Sequence, residues 1–175
     1  MRFKHIFRAD KDILNWGEWK QEKMPPGAFP MSRSPKRSYR LGSAYRWRIV
    51  RFEALSYTFR LLIAYREDVE EYRSILGMEV GSDTRIVAEV CFHGTHPGWH
   101  SHADCGDIRS MPIGIQRWPE MRRRPSGRSH HRSKTYVTGL SKMNDAHALE
   151  VAARRFNLHQ TPGEMFGHKP VGEGP

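Results

Sequence analysis

The chain contains little cysteine and no long hydrophobic run. Its 175 residues include two cysteines, Cys91 and Cys105, too few for a disulfide framework. Its longest apolar stretches, such as residues 61–64, fall far short of the roughly 18 residues of a membrane helix, and mean hydropathy is −0.71. The N-terminus reaches charged residues before a signal-peptide apolar region could form. We therefore expect reduced thiols, no membrane partner and a cytoplasmic location.

Several functional signatures are also missing. The sequence contains no phosphate-binding glycine loop, dinucleotide fingerprint or serine nucleophile elbow. It also lacks the aromatic RNP motif, the KH loop and a helix-turn-helix pattern. Nucleotide-dependent enzymes and α/β-hydrolases are therefore not supported.

Positive charge is abundant but unevenly distributed. The net charge is +10, and residues 1–50 carry +8, residues 51–116 carry −4 and residues 117–134 carry +6. A concentrated basic excess favours an anionic partner more than a uniform one does. We predict a basic, largely irregular N-terminal arm over residues 1–44, a single α+β domain over residues 45–160 and a flexible tail over residues 161–175.

Hydrophobic periodicity predicts the elements of the domain. Alternation in residues 45–49 and 57–63 indicates an antiparallel pair of strands, and residues 85–93 read as a third strand. Apolar residues at helical spacing predict one helix over residues 69–78 and another after Ser141 or Asn144. The predicted fold class is α+β, with a small antiparallel sheet, two packed helices and long irregular basic segments.

Residues 91–107 concentrate side chains that bind metals. They include four of the ten histidines, both cysteines and two carboxylates. Such groups bind zinc when three or four meet about 2 Å from one point. In an extended segment, alternate residues such as His100 and His102 project to one side. We predict that a loop over residues 93–107 binds zinc or another divalent metal. The candidate ligands are His93, His96, His100, His102, Asp104 and Asp107.

Two other interpretations of this loop remain open. The histidines could cap turns, bind backbone carbonyls or stack on Trp99, with Pro97-Gly98 forming the turn. Alternatively, in a metal-free site, His100 or His102 could act as general base and another histidine as acid, since imidazole titrates near neutrality. The spacing of the cysteines matches no zinc-finger or zinc-ribbon template.

The segment Thr95-His96-Pro97-Gly98 resembles the His-x-His-Pro-Gly turn of the JAB/MPN metalloproteases. In that family a Ser and an Asp follow the turn and complete a zinc site, and Asp107 lies at the spacing of the last ligand. This sequence departs from the pattern at Gly94, in the first ligand position, and at Asp104, in the Ser position. The resemblance implies a JAB-like zinc metallohydrolase.

The resemblance also implies an upstream catalytic glutamate, for which Glu53 and Glu89 are available. We take Glu89 as the candidate catalytic carboxylate, alongside His100 and His102.

A second cluster, the basic loop over residues 117–134, is rich in arginine. Guanidinium groups neutralise phosphates and release counterions, and an exposed tryptophan can stack on a base. A solvated basic loop that keeps the protein soluble is the alternative. The candidate nucleic-acid contacts are Arg117, Trp118, Arg122, Arg123, Arg124, Arg128 and Arg132.

Together these features predict a small nucleic-acid-associated protein. Its expected activity is cleavage of phosphodiesters by a metal- or histidine-dependent nuclease, with RNA favoured over DNA because the 2′-hydroxyl supplies a nucleophile. The alternatives are a non-catalytic nucleic-acid-binding module with a structural zinc site and the JAB-like hydrolase.

Overall fold

The computed structural model describes residues 1–31, 39–93, 98–104, 106–114, 121–124 and 142–159, without the side chains of residues 104 and 121–124. Within these ranges, seven strands form one antiparallel sheet, and each strand pairs with the next along the chain. The strands are β1 (Asp12–Asn15), β2 (Arg46–Ala54), β3 (Tyr57–Arg66), β4 (Glu71–Val80), β5 (Asp83–His93), β6 (His100–Asp104) and β7 (Met121–Arg124).

Short helices accompany this sheet near both ends of the described chain and between β6 and β7. They are α1 (Phe3–Arg8), a 3-10 turn (Ile108–Ser110) and α2 (Asp145–Phe156). In the described ranges only α2 exceeds seven residues. None of the described helices has the length and apolar character needed to cross a membrane.

The prediction of two packed helices is wrong, because the segment predicted as the first helix forms β4. This strand lies in the middle of the sheet and is buried on both faces. Tyr72 and Leu76 belong to one core and Ile75 to the other. When both faces of a strand are apolar, the hydrophobic pattern loses its period of two and can imitate helical spacing.

The strand predictions around this segment are confirmed. β2 and β3 pair from Arg46 opposite Tyr65 to Ala54 opposite Tyr57. The two residues that join them, Leu55 and Ser56, have φ of 53° and 62°. Two consecutive positive φ values are typical of the tight turns whose twist matches that of paired strands.

The sheet buries side chains on both of its faces. The larger core lies on the side we call face A, includes Phe52 and Phe92, and is covered by α1 and α2. A smaller core on the opposite side, face B, includes Leu62 and Ile75. Arm residues in this smaller core are Met24, Phe29 and Leu41.

A β-bulge decides which residues of β5 reach face B. Gly77 of β4 pairs with Ile86, and the next pair skips Val87, which joins the core on face A. The odd-numbered positions after the bulge therefore point to face B. Strict alternation along residues 85–93 would put every odd-numbered position on one face, but the bulge breaks this alternation at Val87.

Helix α2 confirms the prediction of a C-terminal helix. Its N-cap is Asn144, whose side-chain oxygen accepts a hydrogen bond of 2.9 Å from the backbone N–H of His147. The predicted apolar stripe is buried: Ala148, Leu149, Ala152 and Phe156.

Polar contacts join α2 to the sheet. Asp145, in the first turn of the helix, accepts hydrogen bonds from the Arg46 guanidinium and, at 2.8 Å, from the Tyr65 hydroxyl. The buried Tyr72 hydroxyl donates to the Ala148 carbonyl at 3.1 Å. These bonds fix the helix over face A.

The start of the N-terminal arm is bound by a buried arginine. Arg48 donates to the Trp16 carbonyl at 3.0 and 2.7 Å and to the Gly17 carbonyl at 2.6 Å. Farther along, the backbone of Lys20 bridges to that of Trp47. Residues 16–20 of the arm thus lie along β2.

Candidate metal centre

The end of face B on β4, β5 and β6 carries polar residues in cross-strand rows. Directly opposite residues of an antiparallel pair project to the same face of the sheet. The rows are Glu71 with His93, Arg73 with Cys91 and His100, and Glu89 with His102.

Three of these side chains form a group that could hold a metal ion. The ligand atoms of Cys91, His93 and His100 all lie within 4.8 Å of one another. Cys91 and His100 are buried, with exposed fractions of 3% and 8%, and His93 is partly exposed. A thiol and two imidazoles meeting at one point form a donor set that zinc favours.

A neighbouring carbonyl orients the His100 ring. Nδ1 of His100 lies 2.9 Å from the Gly98 carbonyl oxygen. In the tautomer in which Nδ1 donates to this oxygen, Nε2 is the nitrogen that can bind a metal ion. Metal-binding histidines commonly donate their other ring nitrogen in this way, which fixes the tautomer and the ring plane.

Trp99, which lies between Gly98 and His100, anchors the chain where β6 begins. Trp99 packs in the core of face A, with its ring centroid 5.2 Å from those of Tyr72 and Phe92. Because successive side chains of a strand point to opposite faces, a tryptophan on face A places His100 on face B. Gly98, before it, has a φ of 73°, which glycine adopts readily.

Glu89 is the carboxylate nearest in sequence to Cys91, two residues before it on the same face. It is 9% exposed, and within the described residues it makes no hydrogen bond or ion pair. Its cross-strand neighbour is His102, whose ring centroid lies 5.1 Å from that of His100.

An ion pair lies beside the metal-binding group. Arg73 Nε donates to Glu71 at 2.7 Å, and the Tyr45 hydroxyl donates to the same carboxylate at 2.6 Å. Burial alone raises the pKa of Glu71, but the hydrogen bond from Tyr45 and the charge of Arg73 lower it below its ordinary value. The pair is therefore ionised.

Asp107, a predicted ligand, lies apart from this group. Its carboxylate accepts hydrogen bonds from the N-terminal ammonium at 2.7 Å and from Arg109 at 2.7 and 3.1 Å. These bonds, with that from Arg109 the larger, lower its pKa well below the ordinary value. Among the described residues, Asp107 does not belong to the group of Cys91, His93 and His100.

Other predicted residues are described only in part or not at all. His96, the Asp104 side chain, Arg117, Trp118, Arg128 and Arg132 lie outside the described residues. Strand β7 holds Arg122, Arg123 and Arg124, and its backbone pairs with β6 so that Arg123 is opposite His102. The basic loop thus includes a strand next to the one that carries two of the candidate histidines.

The ligands predicted from the sequence do not include Cys91. The sequence also does not predict the Glu71–Arg73 ion pair beside them. The signal for Cys91 was present, since it alternates with His93 on a predicted strand. The position of Arg73 could not be predicted, because a helix over residues 69–78 would not place this residue opposite Cys91.

No protein-family model, no curated protein and no solved structure matches this chain.

Proposed function

We propose that the protein is a metal-dependent phosphodiesterase acting on nucleic acid, with one zinc ion held by Cys91, His93 and His100. The observation that carries this proposal is the convergence of these three donor groups within 4.8 Å. A cytoplasmic location suits the proposal, because the reducing cytosol preserves the thiol that serves as ligand.

The donor spacing supports zinc. Zn–S and Zn–N bonds are about 2.3 and 2.0 Å long, which places tetrahedral donors roughly 3.5 Å apart. An upper limit of 4.8 Å for all three separations requires only a modest contraction around the ion. Three protein ligands, the number present among the described residues, are typical of catalytic zinc sites that keep a position for water.

The neighbouring carboxylate supports hydrolysis. An ion held by Cys91, His93 and His100 would lower the pKa of a bound water, and Glu89 would accept the proton that this water loses as its oxygen bonds to phosphorus. Glu89 would then pass the proton to the leaving oxygen as the bond between that oxygen and phosphorus breaks, so that a phosphomonoester and an alcohol would result. Burial of Glu89 in the row next to Cys91 and His100 provides this acceptor.

The basic loop supports a nucleic-acid substrate. It carries a net charge of +6, and its described strand β7 hydrogen-bonds to β6. Phosphate contacts from arginines supply much of the affinity for nucleic acids. Binding should therefore weaken as the salt concentration rises.

One observation favours a second function, a nucleic-acid-binding module with a structural zinc site. Cys91 and His100 are almost fully buried. Structural zinc ions are commonly enclosed and contribute directly to folding. In that case the chelated protein unfolds, whereas a catalytic site loses activity with the fold retained.

Two measurements test the proposal. Elemental analysis of the purified protein should give one zinc per chain, and end-labelled RNA should be cleaved by the zinc-loaded protein and spared after chelation. Circular dichroism of the chelated protein separates the catalytic site from the structural one. A chain that binds no zinc contradicts both functions, and a zinc-loaded chain that cleaves neither RNA nor DNA contradicts the phosphodiesterase.

A further inference from the structure

The Arg73 guanidinium is placed to act beside the metal-binding group. Arg73 is the cross-strand neighbour of Cys91, and its charge interacts with both Cys91 and Glu89. Its side chain is 31% exposed, so a ligand approaching from solvent can reach it. Cys91 is in turn opposite His100.

The guanidinium is held in one orientation without using all of its donors. Nε and one terminal nitrogen lie 2.7 Å from the same oxygen of Glu71. Within the described residues, the other terminal nitrogen makes no hydrogen bond. A guanidinium has five N–H donors, so Arg73 can bind a further anion while it remains paired with Glu71.

The charge of Arg73 is secure despite its burial. A guanidinium stays protonated in proteins, and the carboxylate of Glu71, 2.7 Å away, balances its charge. The Tyr45 hydroxyl donates a hydrogen bond to the other carboxylate oxygen of Glu71 and so helps to hold the ion pair in place.

The other described arginines on face B contrast with Arg73. Arg51 and Arg60 both donate hydrogen bonds to Glu79, which lies six residues from Arg73 along β4. The Arg51 side chain is 44% exposed. Both are ion-paired, yet neither is opposite a candidate metal ligand. Arg51 is therefore a matched control for Arg73.

We infer that Arg73 binds and orients the phosphoryl group of the substrate next to the metal ion, an inference that rests on the proposed function. A metal ion and a guanidinium on adjacent positions can contact two oxygens of one phosphate. Arginine is suited to this role because its planar fork matches phosphate geometry. The substrate class is thus a phosphate ester whose phosphorus carries at least two unesterified oxygens.

The test measures binding of inorganic phosphate to zinc-loaded wild type, R73Q, R73K and R51Q by calorimetry. R73Q should raise the phosphate Kd roughly 10- to 100-fold, as expected for loss of a hydrogen bond between charged groups. R73K should have an intermediate effect, because lysine keeps the charge but loses the fork. R51Q should leave the Kd unchanged.

Zinc content and thermal unfolding of each variant complete the experiment. An R73Q variant that retains zinc and binds phosphate as tightly as wild type overturns the inference. So does an R73Q variant that loses its zinc, because Arg73 would then support the metal site. A wild type that binds zinc but not phosphate overturns this inference and leaves metal binding intact, whereas a wild type without zinc contradicts the proposed function itself.

Discussion

Cys91 on β5 lies directly opposite His100 on β6, and both point to face B of the sheet. Strand register therefore brings together two of the three candidate ligands. A slip of one residue would turn either side chain to the opposite face, since side chains alternate along a strand. The position of Trp99 in the core of face A opposes such a slip.

The first prediction concerns the ligands. C91A and H100A should each lower zinc affinity more than about 100-fold, because even residues that only orient a ligand contribute 10- to 100-fold. H102A should lower it less than about tenfold, because His102 is outside the group of three. Competition with a chromogenic chelator measures these affinities. Equal losses in H100A and H102A would contradict the assignment.

The second prediction concerns Glu89. E89Q should retain zinc and lower kcat on labelled RNA by roughly 10²- to 10⁴-fold, as expected for loss of a proton acceptor in the transition state. E53Q is the control, since Glu53 is an exposed carboxylate on β2. A kcat of wild-type size in zinc-loaded E89Q would remove Glu89 from the mechanism.

Local hydrophobic patterns predict much of the sheet correctly, but they do not predict its middle strand, β4. β2, β3 and β5 follow from alternation, and the polar N-cap of α2 follows from Asn144. β4 does not, because both of its faces are covered, one by the N-terminal arm and one by the core with α2. That coverage comes from segments distant in sequence, so no local period reveals it.

Some residues of the candidate site can likewise be predicted from local patterns, and others cannot. His93, His100 and Glu89 could be predicted, since they lie on or next to one predicted strand. Arg73 could not, because its position beside Cys91 depends on pairing between β4 and β5. The sequence also could not predict that the Asp107 carboxylate binds the N-terminal ammonium, because these two groups are more than a hundred residues apart in sequence.

The third prediction concerns stability in acid. Glu79 accepts hydrogen bonds from Arg51 at 2.8 and 3.0 Å and from Arg60 at 2.7 Å. These bonds, that from Arg51 foremost, lower its pKa below the ordinary value of 4.5, although partial burial opposes the change. The native carboxylate then binds fewer protons than the unfolded one. Its contribution is complete above that value and is lost as the pH falls through the folded pKa.

E79Q should therefore be less stable than wild type by about 1 kcal/mol at pH 7. The difference should shrink as the pH falls below 4.5, as measured by urea unfolding at several pH values. In an R51Q/R60Q background, E79Q should change little at any pH. A difference that stays constant with pH would show that the two arginines do not shift Glu79.

The last prediction concerns the turn that Arg48 holds. Gly17 has a φ of +66°, and a Cβ added there would lie 2.3 Å from the Ile49 carbonyl oxygen. G17A should therefore destabilise the protein by at least roughly 1–3 kcal/mol, the cost of a strained backbone, with the steric clash in addition. G42A is the matched control, because no atom lies within 4 Å of its added Cβ, and it should change stability by less than about 1 kcal/mol. Urea unfolding of both variants measures the difference, and equal stabilities would mean that the close approach of Gly17 to β2 is absent in solution.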